Sequence, residues 1–379
     1  MLIQLIPGIP FGLAHPAWQD ISIFFGVSIP GRISIDPDGS MTVFMRWMAY
    51  AAVFWLALQL GRDRANAGMA LRAFVWAGAA YALYGLTAYL TGGETILFYK
   101  KWAYREALTS TFVNRNSYAT FAGMGLIVAF LLILNGAKRY HTKDQSLRQK
   151  MLFHLGRAGP ALLFLGTAAF LILSALILTG SRAGAFSTLA ALLVVLVCTG
   201  AGKSRHRYGL GAPVVFFGLM AIAVYALSSE FLLARLENAS LGARQMTYLQ
   251  TIEAITDHSV LGSGLGSFAQ IFPLYRADDA LVAKFWGRAH NTYIENILEL
   301  GLPAALALFV AVGALAARCW RGVQARSRDR HFPIMGVAVS VLVGLHSFVD
   351  FSLQIPAVTI AYMFLLGIAV AQSFSSRRA

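Results

Sequence analysis

The sequence predicts an all-α, polytopic helical membrane protein of about nine transmembrane helices, with one large polar loop between the sixth and seventh. Three observations carry that expectation. Hydrophobic residues make up 58% of the 379-residue chain and charged residues only 13%, against about 25% charged in soluble domains, and mean hydropathy is +0.63. The apolar residues fall in runs of roughly 15 to 20, the length that covers a hydrocarbon core of about 30 Å at about 1.5 Å rise per residue. One stretch, 229–300, is both long and polar. Alternating segments of the kind that build a membrane β-barrel are missing.

The apolar runs lie near 41–60, 73–91, 117–135, 160–179, 184–200, 213–228, 301–317, 333–349 and 357–374. The chain, 1–379, therefore reads as a single membrane domain, with residues 1–40 ahead of the first helix and 229–300 as the large loop. Net charge is +14, and its distribution decides what it means. The loops 61–72, 136–158, 201–208 and 318–331 and the tail hold 19 of the 31 Lys and Arg against Asp63, Asp144 and Asp329. The opposite side holds 11 basic against 14 acidic residues. That asymmetry follows the positive-inside rule, so the charge reports topology rather than nucleic-acid binding. The large loop and residues 1–40 are then expected to face outward, into the periplasm. An outward amino terminus with no basic leader further suggests an odd number of helices upstream of this reading frame. Cys198 and Cys319 fall at cytoplasmic helix ends, so no disulfide is expected in the loop.

Polar residues at outward helix ends are the candidates for chemistry, because such groups are costly near lipid unless they face water or one another. Helix two leads to Lys100, Lys101, Arg105 and Phe112-Val113-Asn114-Arg115-Asn116. Helix four ends at Ser181-Arg182-Ala183-Gly184, where Arg182 is either an interfacial anchor or a planar fork for phosphate oxygens. Helix eight ends at His346-Ser347-Phe348-Val349-Asp350. Arg244 opens an amphipathic helix and reads equally as a surface residue or a ligand. Gly262, Gly264 and Gly266 lack the preceding strand and following acid of a dinucleotide fingerprint; a turn where backbone approaches a ligand, or a plain loop, fits better. His290 precedes a helix on which Asn291, Glu295 and Glu299 recur every four residues, a polar stripe beside Ile294, Ile297 and Leu298. An imidazole there is a candidate proton acceptor or an exposed capping-region histidine. Metal-binding, serine-hydrolase and Walker motifs are missing, and no cofactor is expected. Asp278-Asp279 reads as a solvated turn.

Taken together, the 112–116 segment, Ser181-Arg182-Ala183-Gly184, Arg244 before the glycine series, and His290-Asn291 with Gly301 resemble the O-antigen ligase and polysaccharide polymerase superfamily. The family pattern is His-Asn (or Ser, Gln), nine residues, Gly, two residues, then Gly, Thr or Tyr. Ala304 departs from it at the last position. The resemblance covers most of the chain, and its motifs gain specificity from their order, sidedness and spacing. It implies a glycosyltransferase of the cell inner membrane that moves a glycan from undecaprenyl diphosphate to an acceptor hydroxyl, on lipid A core or a growing polysaccharide, without a metal. By matching motif, Arg182 and Arg244 would hold the diphosphate and His290 would be the base. Asn291, Asn116, Arg115 and Arg288 are further substrate-binding candidates; for Arg115, Asn116 and Arg288 an interfacial structural role is the stronger reading. Ligation, polymerisation and protein glycosylation share this donor chemistry. A transporter or lipid-linked glycan flippase is the alternative, but it predicts inverted repeats and mid-membrane charges, whereas the ionisable residues here cluster at helix ends. A structural envelope subunit would need no outward basic and histidine constellation.

Overall fold

The computed structural model describes residues 1–10, 12–139, 159–200, 240–276 and 285–374. It contains helices α1 (Ala17–Phe25), α2 (Pro37–Leu60), α3 (Arg64–Leu90), α4 (Arg115–Arg139), α5 (Gly159–Leu178), α6 (Arg182–Gly200), α7 (Ser240–Asp257), α8 (Phe268–Ile271), α9 (Thr292–Leu300), α10 (Leu302–Ala325), α11 (His331–His346) and α12 (Pro356–Ala371). The one departure from an all-α chain among the described residues is a hairpin of β1 (Thr95–Ile96) and β2 (Tyr99–Lys100). Among the described residues, six helices are long and apolar enough to span a membrane, and α11 and α12 are shorter apolar helices. The protein is a multi-pass helical membrane protein. The expected helix near 213–228, the start of the large loop, Asp278-Asp279 and much of the basic loops 136–158 and 201–208 lie outside the described residues.

Hydropathy locates the lipid-depth part of each helix rather than its ends. Thus α3 starts nine residues before the expected run at 73, because Asp63 caps it by accepting from the Asn66 N–H at 2.8 Å. Likewise α10 continues through Arg318 and Arg321 to Ala325. The eighth run stops early, at His346, and Ser347 to Asp350 form a turn.

Two compact units emerge. Unit 2 comprises Val53–Leu232, Leu315–His346 and Ala357–Ala379, and α4 is its centre, packed on α3, α5, α6 and α11. Close packing relies on small residues. Any Cβ on Gly123 would meet the Thr188 hydroxyl and Leu342, and Gly78 and Gly125 both face Ile172. Thr120 Oγ1 and His346 Nδ1 join α4 to α11 at 3.1 Å, both fully buried.

Unit 1 comprises Met1–Ala52, Leu233–Ala314 and Ser347–Pro356. Residues ahead of the first span and those of the large loop therefore fold together. Backbone seams join them: Ile35 donates to Ser263 O at 3.0 Å, Ser263 to Leu298 O at 2.9 Å, and Leu302 to Ser259 O at 2.7 Å. The Gln4 amide reaches across to Leu261 O and Glu299 O. His15 stacks on His258 at 5.0 Å between ring centroids; burial and the neighbouring imidazole push His15 down to about 4. Phe268, Phe272, Ala254, Ala289 and Leu298 form the core beneath.

The glycine series belongs to these seams. Gly262 (φ +71°) and Gly301 (φ +78°) lie so close that a Cβ on either would strike backbone of the opposing segment, Glu299 O or Val260 O. Replacing Gly301 with Ala should therefore lower the Tm of the detergent-solubilised protein by several degrees, since strained backbone and clash together cost about 1–3 kcal/mol or more. Gly313, with open space around it, is the control: its alanine variant should be neutral or slightly stabilising in a thermal-unfolding measurement.

Candidate active site

The described part of the large loop converges on the start of α9. Asn291 is the N-cap: its Oδ1 accepts from the Tyr293 and Ile294 N–H groups at 3.0 and 3.3 Å. His290, immediately before it, holds φ +55°, a conformation uncommon outside glycine. Side chains on both flanks hold it there. The Tyr248 hydroxyl, on α7, donates to the His290 carbonyl at 2.9 Å, and the Glu295 Oε2, one turn into α9, accepts from the Ala289 N–H at 2.8 Å. Thr292 ties the helix start to the 347–356 turn through its N–H to Ser347 O (2.9 Å) and its hydroxyl to Asp350 O (3.0 Å).

The imidazole is one-fifth exposed, and its Nδ1 stands 3.8 Å from Oδ1 of the buried Asp350. Trp286 and Phe351 meet it edge-on at 5.9 and 4.8 Å. The ring thus has a carboxylate on one side and apolar walls beside it.

The polar stripe of α9 faces inward. Glu295 is fully buried and Glu299 almost so, while Ile294 and Ile297 are only half-buried. The sequence expectation of a polar face beside an apolar one is met in spacing, but the two carboxylates are as buried as Leu298 and more buried than Ile294 and Ile297. Glu295 forms an ion pair with Arg288 at 3.0 Å. Burial raises the Glu295 pKa, with Arg288 opposing. For Arg288 burial works against the charge, but Glu295 and Glu299 outweigh it and raise its pKa. Glu299 is pushed up to about 8, chiefly by burial and then by Glu295, although the Gly266 and Phe268 N–H groups donate to its carboxylate. The glycine turn is thus a cradle for this carboxyl group and for the α9 backbone.

The sequence candidates distribute over both units. In unit 1, Arg244 lies on α7 four residues before Tyr248, hence on the same face, and its charge acts on the Tyr248 hydroxyl. That joins Arg244, Tyr248 and His290 in one neighbourhood. Arg288 is engaged by Glu295, and the Asn291 carbonyl oxygen by the helix cap. In unit 2, Arg115 and Arg182 are the first residues of α4 and α6. Arg182 is exposed, after a turn in which Gly180 holds φ +60° and Ser181 Oγ accepts from the Gly184 N–H. The Arg115 guanidinium lies 5.5 Å from the Tyr104 ring centroid, and its Nη1 would stand 3.6 Å from a Cβ on Gly180. Asn116 donates its backbone N–H to Asn114 Oδ1, so the cap of α4 is Asn114.

Sequence reasoning placed Asp350 at the outward end of helix eight without linking it to His290, and it did not single out Tyr248 or the role of Glu295. Asp350 had a readable signal, as a lone acid in an apolar stretch. Tyr248 had only its spacing from Arg244, and nothing in the sequence links Glu295 to the Ala289 amide. Among the described residues no three His, Cys, Asp or Glu side chains gather as a metal-binding group.

Residues 167–310 match the family model described as O-Antigen ligase. That segment contains Arg182, Arg244, Arg288, His290 and Asn291, and stops short of Asp350; Arg115 and Asn116 precede it. No curated protein matches the chain.

The Glu299 shift carries a stability prediction. Its folded pKa of about 8 lies above the ordinary 4.5, so the fold favours the protonated acid. The stabilisation is complete below 4.5 and is lost as pH rises through about 8. Thermal unfolding of the purified protein should show Tm falling across that window, and Glu299→Gln should flatten the fall.

Proposed function

We propose, from the O-antigen ligase domain carried by residues 167–310, that this membrane protein transfers a glycan from undecaprenyl diphosphate to an acceptor hydroxyl at the periplasmic face of the cell inner membrane. The observation that carries the reading is the setting of His290: an imidazole in a left-handed backbone conformation, 3.8 Å from a buried carboxylate. Strained residues held by several side chains are concentrated at functional sites.

The chemistry follows from that setting. With its proton on Nδ1 facing Asp350, the imidazole leaves Nε2 as acceptor. The acceptor hydroxyl gives its proton to Nε2 while its oxygen attacks the anomeric carbon. The bond from that carbon to the diphosphate oxygen breaks, and undecaprenyl diphosphate leaves with the electron pair. Attack opposite the leaving group inverts the anomeric configuration. Asp350 stabilises the imidazolium that forms, and general-base assistance contributes about 10²–10⁴ in rate. Arg244, on the α7 face that also carries Tyr248, is the guanidinium we assign to the diphosphate, where fixed positive charge stabilises the departing group. Arg182 is assigned the same chemistry from its motif and exposure. Asn291, Arg115, Asn116 and Arg288 are assigned supporting contacts or structure; Arg288 and Asn291 act chiefly through the shape of the α9 start.

The acceptor is lipid A core in a ligase and the growing chain in a polymerase, and Ala304 in place of the family's Gly, Thr or Tyr tilts the reading toward polymerase-like relatives.

A deletion strain complemented with variants tests this. His290→Ala should reduce glycan transfer by at least about 100-fold with membrane insertion unchanged, and near-normal transfer would remove its role as base. Asp350→Asn should lower kcat with little change in KM. Arg244→Lys, which keeps charge but loses the fork, should still impair transfer, and activity should survive chelator. On gels, lost attachment of the glycan ladder to lipid A core marks a ligase; shortened chains mark a polymerase.

A further inference from the structure

The segment between α3 and α4 carries apolar side chains that the proposed chemistry does not use. Phe98 is 95% exposed, Tyr99 78% and Trp102 74%. They belong to the β1–β2 hairpin and the residues after it. Thr95 pairs with Lys100 and Ile96 with Tyr99, so Leu97 and Phe98 form the two-residue turn. Leu97 holds φ +52°, where such turns ordinarily use glycine or asparagine. A bulky apolar residue is kept despite the strain.

The turn does not project beyond the helix end. The Leu97 N–H donates to the Tyr84 hydroxyl at 2.7 Å. Tyr84 lies six residues before Leu90, the last residue of α3, which sets it about 9 Å back along the helix axis. The hairpin tip is therefore drawn alongside the last turns of a helix that is long and apolar enough to span a bilayer. At that depth an exposed Leu97 and Phe98 are favourable against hydrocarbon and unfavourable against water. The flanking residues match the next layer outward. Tyr89, Tyr99 and Trp102 are amphipathic rings of the sort that gather at headgroup level, and Lys100 and Arg105 are exposed cations suited to lipid phosphate. The two residues of the turn itself, Leu97 and Phe98, carry no hydrogen-bonding group in their side chains.

We propose that residues 95–102 form a membrane-dipping anchor. Leu97 and Phe98 enter the acyl region of the leaflet at the α3 carboxyl-terminal end, with Tyr99 and Trp102 among the headgroups. The anchor fixes the level at which α3 leaves the bilayer, and with it the level of the following segment, which Ser110 Oγ ties to Tyr81 O at 2.6 Å. This inference is independent of the transfer chemistry.

Site-directed spin labelling of the full chain in phosphatidylcholine–phosphatidylglycerol nanodiscs tests it. Cys198 and Cys319 are buried, so a Phe98→Cys variant takes the label selectively. The label at position 98 should be several-fold more accessible to oxygen than to a water-soluble nickel chelate. A Thr91→Cys label at the helix end should show the reverse. Tyr84→Phe, which removes the acceptor of the Leu97 N–H, should shift the position-98 label toward the chelate. Three results would overturn the proposal: chelate access at position 98 equal to that at position 91, no shift with Tyr84→Phe, or a label that is water-exposed until added oligosaccharide immobilises it. The last would identify a glycan-binding tip instead.

Discussion

Two carboxylates buried one turn apart on α9 govern unit 1. A buried acid must be met by cations and hydrogen-bond donors or it will not stay buried. Glu295 and Glu299 are met by Arg288, the Ala289 N–H, and the Phe268 and Gly266 N–H groups. Those donors come from two stretches of chain, Arg288–Ala289 and Gly266–Phe268. Satisfying the two acids draws the 285–290 segment against α9 on one flank and the glycine turn against its carboxyl end on the other. The conformation of His290 follows, because its preceding amide is held by Glu295 and its own carbonyl by Tyr248. The imidazole is thus positioned by groups that need never touch a substrate. Removing either member of the Arg288–Glu295 pair would strand the other, which is why such pairs are dear to break even when they add little net stability.

Unit 2 solves a different problem. Among apolar helices in lipid, burial of apolar surface offers little drive for association, so closeness and sparse polar links take over. The glycines of α3 and α4 let neighbours approach, and the Thr120–His346 link is a polar connection wholly inside the packed helices. Elsewhere large apolar side chains such as Trp55, Phe164, Phe170 and Phe186 stay exposed on helix surfaces, as expected of faces turned to acyl chains rather than to water.

Much of this was legible in the sequence. All eight expected spans that fall on described residues correspond to helices, since sustained apolar runs have few other solutions in a bilayer. Ends were less legible: the Asp63 cap and the basic end of α10 extend helices where hydropathy has already fallen. The spacing of Asn291, Glu295 and Glu299 was visible, yet periodicity cannot say which face is buried, and charged residues ordinarily imply the outer one. Pairing across long sequence separations was invisible. Nothing local joins Gln4 to Glu299, Ile35 to Ser263 or Asp350 to His290, so the enclosure of the imidazole could not be read from the chain. The glycine series is visible in the sequence, but its requirement at Gly262 and Gly301, backbone meeting backbone, depends on contacts that no local pattern encodes.

The Asn291 cap changes how the His-Asn pair should be understood. The pattern this stretch resembles has asparagine, serine or glutamine at this place; in this chain Asn291 serves as a short oxygen acceptor that starts the helix. Asn291 is better regarded as punctuation, marking where the chain turns into α9, and His290 occupies the last unwound position before that mark.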